Sequence, residues 1–413
     1  MRALVFGEPP DPAEVRPAPV DEEETKLLSL PFGLHEMADA RPIRPDWVVV
    51  RPRLTGVCGS DVKFILGDLD EGDMDNPMAS FSSLPTVPGH EVVADVVELG
   101  PAAEGLEVGQ RVVLNPWLTC APRGVEPPCP ACAAGELSRC WSFRTGELGD
   151  GVHIGVTTKA PGGWAELLSA HDSMLFSVPD GLTDEQAVLA DPFAVSFHAL
   201  LRHPPPPSGR VLLYGAGALG LTGLMTLRTL FPDVEVAVVA RFAAQAELAR
   251  RFGAALVVEP EPREALMEAV ADWSGGRLQP ALVGLPMAHP GGVDYVYDTV
   301  AKPATFEVGA RLLKDGGTLV YTGVATPGRW EWTPVYFKEL SIVGSNGFGL
   351  EDLDGVRRHA IAHYLDLVDR GRVDLTGMVT HRFALEDWWD AVRVLAHQDT
   401  SGAVKVAFTP NAA

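Results

Sequence analysis

The chain has 413 residues, 46% of them hydrophobic, with 33 Lys and Arg against 55 Asp and Glu for a net charge of −22. That length favours two domains over one core, and that acidity would repel a phosphate backbone, so nucleic acid is excluded as a natural partner. No apolar run is long enough to cross a bilayer, and the opening MRALVFGEPP turns to proline and acid too early for a signal peptide, so a cytoplasmic protein with no membrane partner is expected.

In chain order, a short strand is expected at Leu4 to Phe6, followed by Pro-rich coil. Residues 21–46 are polar and broken by proline, and read as an insertion. WVVVRPRLTG reads as strand, ending in a loop at Gly56 to Ser60. ILGDLDEGDMDNPMASFSSLP is acidic and turn-rich, a surface loop. EVVADVVEL, QRVVLNPW, GGWAELLSA and MLFSVP follow as strand-like runs separated by Gly and Pro, the texture of a partly closed β domain. Near residue 181 the texture changes. TDEQAVLADPFAVSFHALLRH has helical spacing, with Thr183 as N-cap and Glu185 and Gln186 close behind. From 210 to about 343 apolar strands alternate with helices, the pattern of a parallel sheet covered on both faces. From about 350 the tail returns to helix plus short strands.

Four of the five cysteines crowd into one short segment: Cys120, Cys129, Cys132 and Cys140, spaced C-x8-C-x2-C-x7-C. Disulfides are disfavoured in a reducing cytosol, and the residues between are mostly Pro, Ala, Gly and Arg, which bury no core of their own. Thiolates hold zinc as a tetrahedron, and metal binding supplies the ordering free energy that packing cannot. With all four positions filled by cysteine the site is closed, hence structural rather than catalytic.

VLLYGAGALGLTG places Gly215-Ala216-Gly217-Ala218-Leu219-Gly220 between a strand and a helix. In that setting G-x-G-x-x-G serves a tight turn, the approach of a pyrophosphate, and close helix–strand packing. After the next strand, where an acidic residue would bind the ribose 2′-hydroxyl of NAD, stand Ala240 and Arg241. A small neutral residue beside a cation suits a 2′-phosphate, which favours NADP over NAD.

The fifth cysteine, Cys58, lies in GVCGSD; His90 and Glu91 follow in PGHE, and Asp191 in ADP. Alone, each has an ordinary structural reading. Together, GVCGSD, PGHEVVADVVELG, GQRVV, the cysteine lobe and the glycine fingerprint, in this order, resemble the zinc-dependent medium-chain dehydrogenase/reductase family of alcohol dehydrogenases over nearly the whole chain. The motifs sit closer to its sorbitol and threonine dehydrogenase branches. The resemblance implies an α/β architecture. A GroES-like β-rich catalytic domain (1–185, zinc lobe at about 116–145) would be closed by the tail 344–413 around a Rossmann doubly wound parallel-sheet domain (186–343). It implies two zinc ions per chain. Cys58, His90 and Asp191 match the catalytic ligands, with Glu91 as the neighbouring carboxylate. Ser60 matches the hydroxyl that passes the substrate proton, and Asp61 the carboxylate that orients the ligand histidine. Cys120, Cys129, Cys132 and Cys140 match the structural lobe. The implied activity is hydride transfer between an alcohol or polyol and NAD(P), in a homodimer or homotetramer.

Three departures stand out. The lobe opens with C-x8-C where the family has C-x2-C. Lys63 stands where many members carry the histidine that ends the proton relay. Extra residues occur at 21–46, 66–85 and near 278–292. Two other readings compete: a zinc-free quinone or enoyl reductase on the same fold, against which Cys58, His90 and the lobe argue, and a non-catalytic zinc-ribbon adaptor, against which the glycine fingerprint argues.

Overall fold

The computed structural model describes residues 1–10, 19, 22, 24–25, 29–66, 80–324 and 328–411. It divides into two compact units: 1–191 with 352–369 and 379–413, and 192–351 with 370–378. The first crossing thus falls at Asp191–Pro192 rather than near 185, and the second at Glu351–Asp352 rather than near 343.

The first unit opens with β1 (Arg2–Phe6), which pairs antiparallel with β2 (Phe32–Glu36), Leu4 opposite Leu34. The expectation of an insertion throughout 21–46 is therefore corrected: FGLHE is a paired strand whose buried Phe32 joins the core with Trp164 and Trp388. Next come β3 (Trp47–Gly56) and α1 (Gly59–Leu66). The loop expected through Ser60 is thus shorter, because the chain turns helical at Gly59 and puts Asp61 in the first turn, where a carboxylate favours the helix dipole. Most of the acidic stretch expected as a surface loop, residues 67–79, lies outside the described residues.

Strands β4 (Glu91–Leu99) and β5 (Arg111–Leu114) follow, then the four-residue helix α2 (Pro130–Ala133) of the cysteine lobe, then β6 (Leu168–His171) and β7 (Leu175–Ser177). Helix α3 (Asp184–Ala187) starts at Thr183 with a capping box to Gln186, as the sequence led one to expect. The helix then breaks, and α4 (Ala190–Arg202) starts afresh. Pro192 explains this: lacking an N–H, it fits the first turn of a helix and not its interior.

The second unit contains β8 (Arg210–Tyr214), α5 (Ala218–Leu230), β9 (Glu235–Val239), α6 (Ala243–Arg251), β10 (Leu256–Val258), α7 (Arg263–Ser274), the small hairpin β11 (Leu278–Gln279) and β12 (Met287–Ala288), β13 (Val293–Asp298), α8 (Pro303–Leu312), β14 (Leu313–Tyr321), α9 (Thr333–Phe337) and β15 (Ser341–Gly344). Its sheet has the order β10-β9-β8-β13-β14-β15, parallel throughout. Val211, Leu212, Val236, Ala237 and Val296 are fully buried, as a sheet covered on both faces requires.

The chain returns through β16 (Leu350–Leu353), β17 (Val356–His359), α10 (Ala360–Asp369), β18 (Val379–Phe383), α11 (Trp388–Ala396) and β19 (Lys405–Phe408). In the first unit's large sheet the order is β18-β19-β3-β4-β5-β7, with β6 also on β3. Its register sets Gly56 opposite both Glu91 and Ala407. The end of β3, the start of β4 and the start of β19 therefore meet at one end of the sheet's strands, and the site is built there.

Candidate metal and catalytic centre

Cys58 lies two residues past the end of β3, and His90 immediately precedes β4, whose first residue is Glu91. Their ligand atoms all lie within 4.8 Å of one another. Helix α1 fixes the first of them: the Asp61 carboxylate accepts from the Cys58 amide (3.0 Å), and the Ser60 hydroxyl donates to the Cys58 sulfur (3.2 Å). The other Asp61 oxygen faces His90 Nδ1 at 3.0 Å. An ionised carboxylate only accepts, so Nδ1 carries the proton and Nε2 is left for a metal. Gly89, at φ +91°, is required because a Cβ there would lie 2.2 Å from the Trp164 ring. That indole therefore presses on the turn that presents His90.

The charges are strongly coupled. Burial works against a protonated His90, but Asp61 and the Cys58 sulfur outweigh it and hold its pKa well above the ordinary value. Burial likewise opposes the charge on Asp61, and His90 overcomes it, so Asp61 is held below the usual carboxylate range. Glu91 is ion-paired to Lys405, the first residue of β19, with both side chains fully buried. Lys405 also donates to the carbonyl of Val57 at 3.0 Å, one residue before Cys58. Gly56 makes room for the pair, since a Cβ there would sit 2.0 Å from a Glu91 oxygen.

Asp191, in the first turn of α4, stands outside the three-residue ligand set. It is 7% exposed and has no hydrogen-bond partner among the described residues. Burial pushes its pKa up to about 7, with His90 and Lys405 pulling down and Glu91 and Asp61 pushing up. A nearly buried carboxylate without a donor is a costly arrangement that a cation would relieve. Lys63 lies on α1, half-buried.

In the lobe, all four expected cysteines converge, Cys120 included, and none forms a disulfide. The sulfurs of Cys120 and Cys140 are 3.7 Å apart, and those of Cys129 and Cys140 are 4.0 Å apart. A tetrahedron with zinc–sulfur bonds of about 2.3 Å has edges of about 3.8 Å. Backbone amides point at the sulfurs: Cys129 N–H at Cys120, Trp141 N–H at Cys129 and Ser142 N–H at Cys140. The hydrogen bond from Cys132 and the Ser142 amide hold Cys140 down at about 5, while Cys132 is pushed far up. The eight-residue spacer carries Arg123, fully buried, whose guanidinium donates to the carbonyls of Leu118 (2.7 Å), Thr145 (2.8 Å), Gly149 (2.6 Å) and Gly151. The sequence flagged the spacer but not this clamp.

In the second unit, Gly215 has φ +104°, and a Cβ on Gly220 would lie 1.9 Å from the Gly215 carbonyl, so both positions need glycine. Above Gly217, the N-cap of α5, a Cβ would meet nothing within 4 Å. That open space beside a helix N-terminus is what an incoming pyrophosphate needs. Ala216 is buried, and Ala218 and Leu219 begin the helix. Ala240 is buried at the end of β9 and Arg241 is exposed.

Lys405, Trp164 and His153 were not anticipated. His153 lies against His90 with ring centres 4.7 Å apart. In sequence Lys405 and His153 carry no local motif; only the glycine of PGHE hinted that something bulky stands beside it.

The first unit thus offers a metal-ready donor set and the second a dinucleotide-binding turn, as in a metal-dependent, nucleotide-linked oxidoreductase. The comparisons agree. Residues 44–180 match the family model of the alcohol dehydrogenase GroES-like domain, and residues 218–367 that of the zinc-binding dehydrogenase. D-arabinitol dehydrogenase 1 of Uromyces fabae is 28% identical over 91% of this chain and 93% of its own. Sorbitol dehydrogenase of Bacillus subtilis (strain 168) is 24% identical over 89% and 92%. A structure from Sinorhizobium meliloti 1021, described as a zinc-binding dehydrogenase bound to NADP, superimposes with a TM-score of 0.70 at 26% identity, covering 92% of this chain and 96% of that one. The chain belongs to the zinc-type medium-chain dehydrogenase/reductase family and is an oxidoreductase. Among the described residues no helix is long and apolar enough to cross a membrane.

Proposed function

We propose that this protein oxidises a secondary alcohol or polyol to the carbonyl compound, and catalyses the reverse reduction, with NAD(P) as hydride acceptor. The observation that carries this reading is the convergence of Cys58, His90 and Glu91, with His90 fixed in its metal-binding tautomer by Asp61. Cys58 and His90 would hold a catalytic zinc. Asp191, lacking a donor, supplies the third ligand, while Glu91 is kept on Lys405. The four lobe cysteines would hold a second, structural zinc.

When bound, the catalytic zinc supplies Lewis acidity that lowers the pKa of an alcohol or polarises a carbonyl. The chain's own groups do the rest. Ser60 takes the hydroxyl proton and passes it outward; the C–H electron pair leaves as hydride for carbon 4 of the nicotinamide, and the C=O bond forms. Ser60 already donates to the Cys58 sulfur, so its oxygen lone pairs are free to accept. Asp61 holds the histidine ring through this cycle.

Polyols are favoured as substrates because relatives named for arabinitol and sorbitol cover nearly the whole chain. Ala240 and Arg241 support a preference for NADP. The five free thiols suit the cytoplasm. In the second unit, exposed Trp332, Tyr336 and Phe337 precede β15, the outer strand of its sheet, and support a homo-oligomer built on that edge.

The test is metal content and turnover together. Two zinc ions per chain are expected in the wild type, and one in Cys58→Ala or His90→Ala, with activity lost and the fold kept. Full turnover in either variant would refute the site.

A further inference from the structure

His153 stands beside the catalytic set and has no part in the reading above. Its ring is tilted 46° against that of His90 at 4.7 Å and stands edge-on to Trp117 at 6.1 Å. The backbone around it is held firmly: His153 bridges to Trp117, the Ile154 amide donates to Pro116 (2.9 Å), and the Leu118 amide donates to Val152 (3.0 Å). Its Nδ1 lies 2.6 Å from the carbonyl of Ile154. A carbonyl only accepts, so Nδ1 bears the proton and Nε2 presents a lone pair. Among the described residues only Nδ1 of this ring is engaged in a hydrogen bond, and the residue as a whole is half-buried. Around it stand Trp117 and, behind that, Phe143, a wall without other acceptors on those rings. An oriented acceptor in an aromatic wall, touching a metal-ligand ring, is the arrangement of a polar anchor in a small-molecule site.

We propose that Nε2 of His153 accepts a hydrogen bond from a second hydroxyl of the substrate, so that the site selects vicinal diols and polyols over simple secondary alcohols. The inference rests on the alcohol-oxidation reading above and names the substrate class of that site. One hydroxyl would be oxidised; its neighbour would donate to His153 and fix which carbon presents its hydrogen to the nicotinamide. A site built to bond a hydroxyl rejects the analogue lacking it far more strongly than an apolar pocket discriminates by shape.

Butane-2,3-diol and butan-2-ol differ by the one hydroxyl at issue. The experiment measures kcat/KM for each with the zinc-loaded wild type, His153→Phe and His153→Gln, and the dissociation constant of each alcohol by tryptophan fluorescence, Trp117 being the nearby reporter. Phenylalanine keeps the ring and removes the acceptor; glutamine restores an acceptor oxygen. The wild type should prefer the diol. In His153→Phe the diol-to-monool ratio should fall at least tenfold and the diol's dissociation constant should rise by a similar factor, about what one lost hydrogen bond is worth. In His153→Gln the ratio should stay within about threefold of wild type. Equal losses for both alcohols in His153→Phe, or an unchanged diol dissociation constant, would overturn the assignment while leaving the oxidation reading intact. If the wild type turns over neither alcohol nor their ketones, the oxidation reading falls for this substrate class, and the binding titration alone decides His153.

Discussion

The Lys405–Glu91 pair allows a quantitative test of how the site is held. Both partners are fully buried, at 2% and 1% exposure. Burial alone would lower the pKa of Lys405, yet Glu91 overcomes it and holds the ammonium above its ordinary value of 10.5. With a raised folded-state pKa, the pair's contribution is whole at neutral pH and fades only as pH climbs beyond that value. Removing one partner of such a pair strands the other charge away from water, at a cost of about 3–5 kcal/mol. Lys405→Met would also leave the Val57 carbonyl without its donor, adding about 1 kcal/mol. Glu91→Gln strands the ammonium instead. The double variant strands no charge, so it should lose less than the two singles summed, with a coupling of about 2–3 kcal/mol. Urea unfolding at neutral pH, with zinc held constant and repeated after chelation, reads all four corners of the cycle. The chelated series matters because a released Glu91 could turn to the metal and mask the loss. Single variants that each cost under about 1 kcal/mol, with additive effects, would show that the pair is solvated and would remove the argument that Lys405 reserves Glu91 and leaves the third ligand position to Asp191.

The remaining predictions concern the lobe, the second unit and the cofactor. Arg123→Met deletes four donors to backbone carbonyls and should cost about 3–5 kcal/mol; hydrogen exchange should show residues 145–151 losing protection even in zinc-saturated protein, and unchanged protection would show that the metal alone holds the lobe. Lys338 is 1% exposed and donates to the carbonyl of Arg311 at 2.9 Å, and burial pushes its pKa down to about 8. Its folded form therefore binds fewer protons than the unfolded chain between pH 8 and 10.5, and wild-type stability should rise relative to Lys338→Met across that window by about 3 kcal/mol; parallel pH profiles would refute the shift. Arg241→Ala should lower the NADP-to-NAD ratio of kcat/KM about tenfold or more if the guanidinium meets a 2′-phosphate, and an unchanged ratio would mean the charge is merely solvated.

What the sequence disclosed and what it withheld follow from one distinction. G-x-G-x-x-G, GVCGSD, PGHE and the cysteine cluster are local: each functional atom is placed by a turn whose own residues demand it, as Gly215 and Gly89 do through positive φ. Such turns can be read without knowing the rest of the fold. Strand β2 escaped because its pairing with β1 is long-range and its flanking prolines look like coil. Helix α7 belongs to the strand–helix alternation read from 210 to about 343, and REALMEAVADWS carries buried Leu266, Met267, Val270 and Ala271 at helical spacing. Lys405 and His153 could not be read at all. A lysine in a C-terminal strand has every appearance of a surface charge until the β19–β3 register places it at the same end of the strands as Glu91. A histidine in a Gly-rich run looks like loop until its strand bridge to Trp117 turns it onto His90. The motifs therefore announce the chemistry that any member of the family must perform. The residues that would set this chain's own choices, of third ligand and of substrate, are supplied by partners distant in sequence, and those choices become legible only when the sheet has brought the ends of β3, β4 and β19 together.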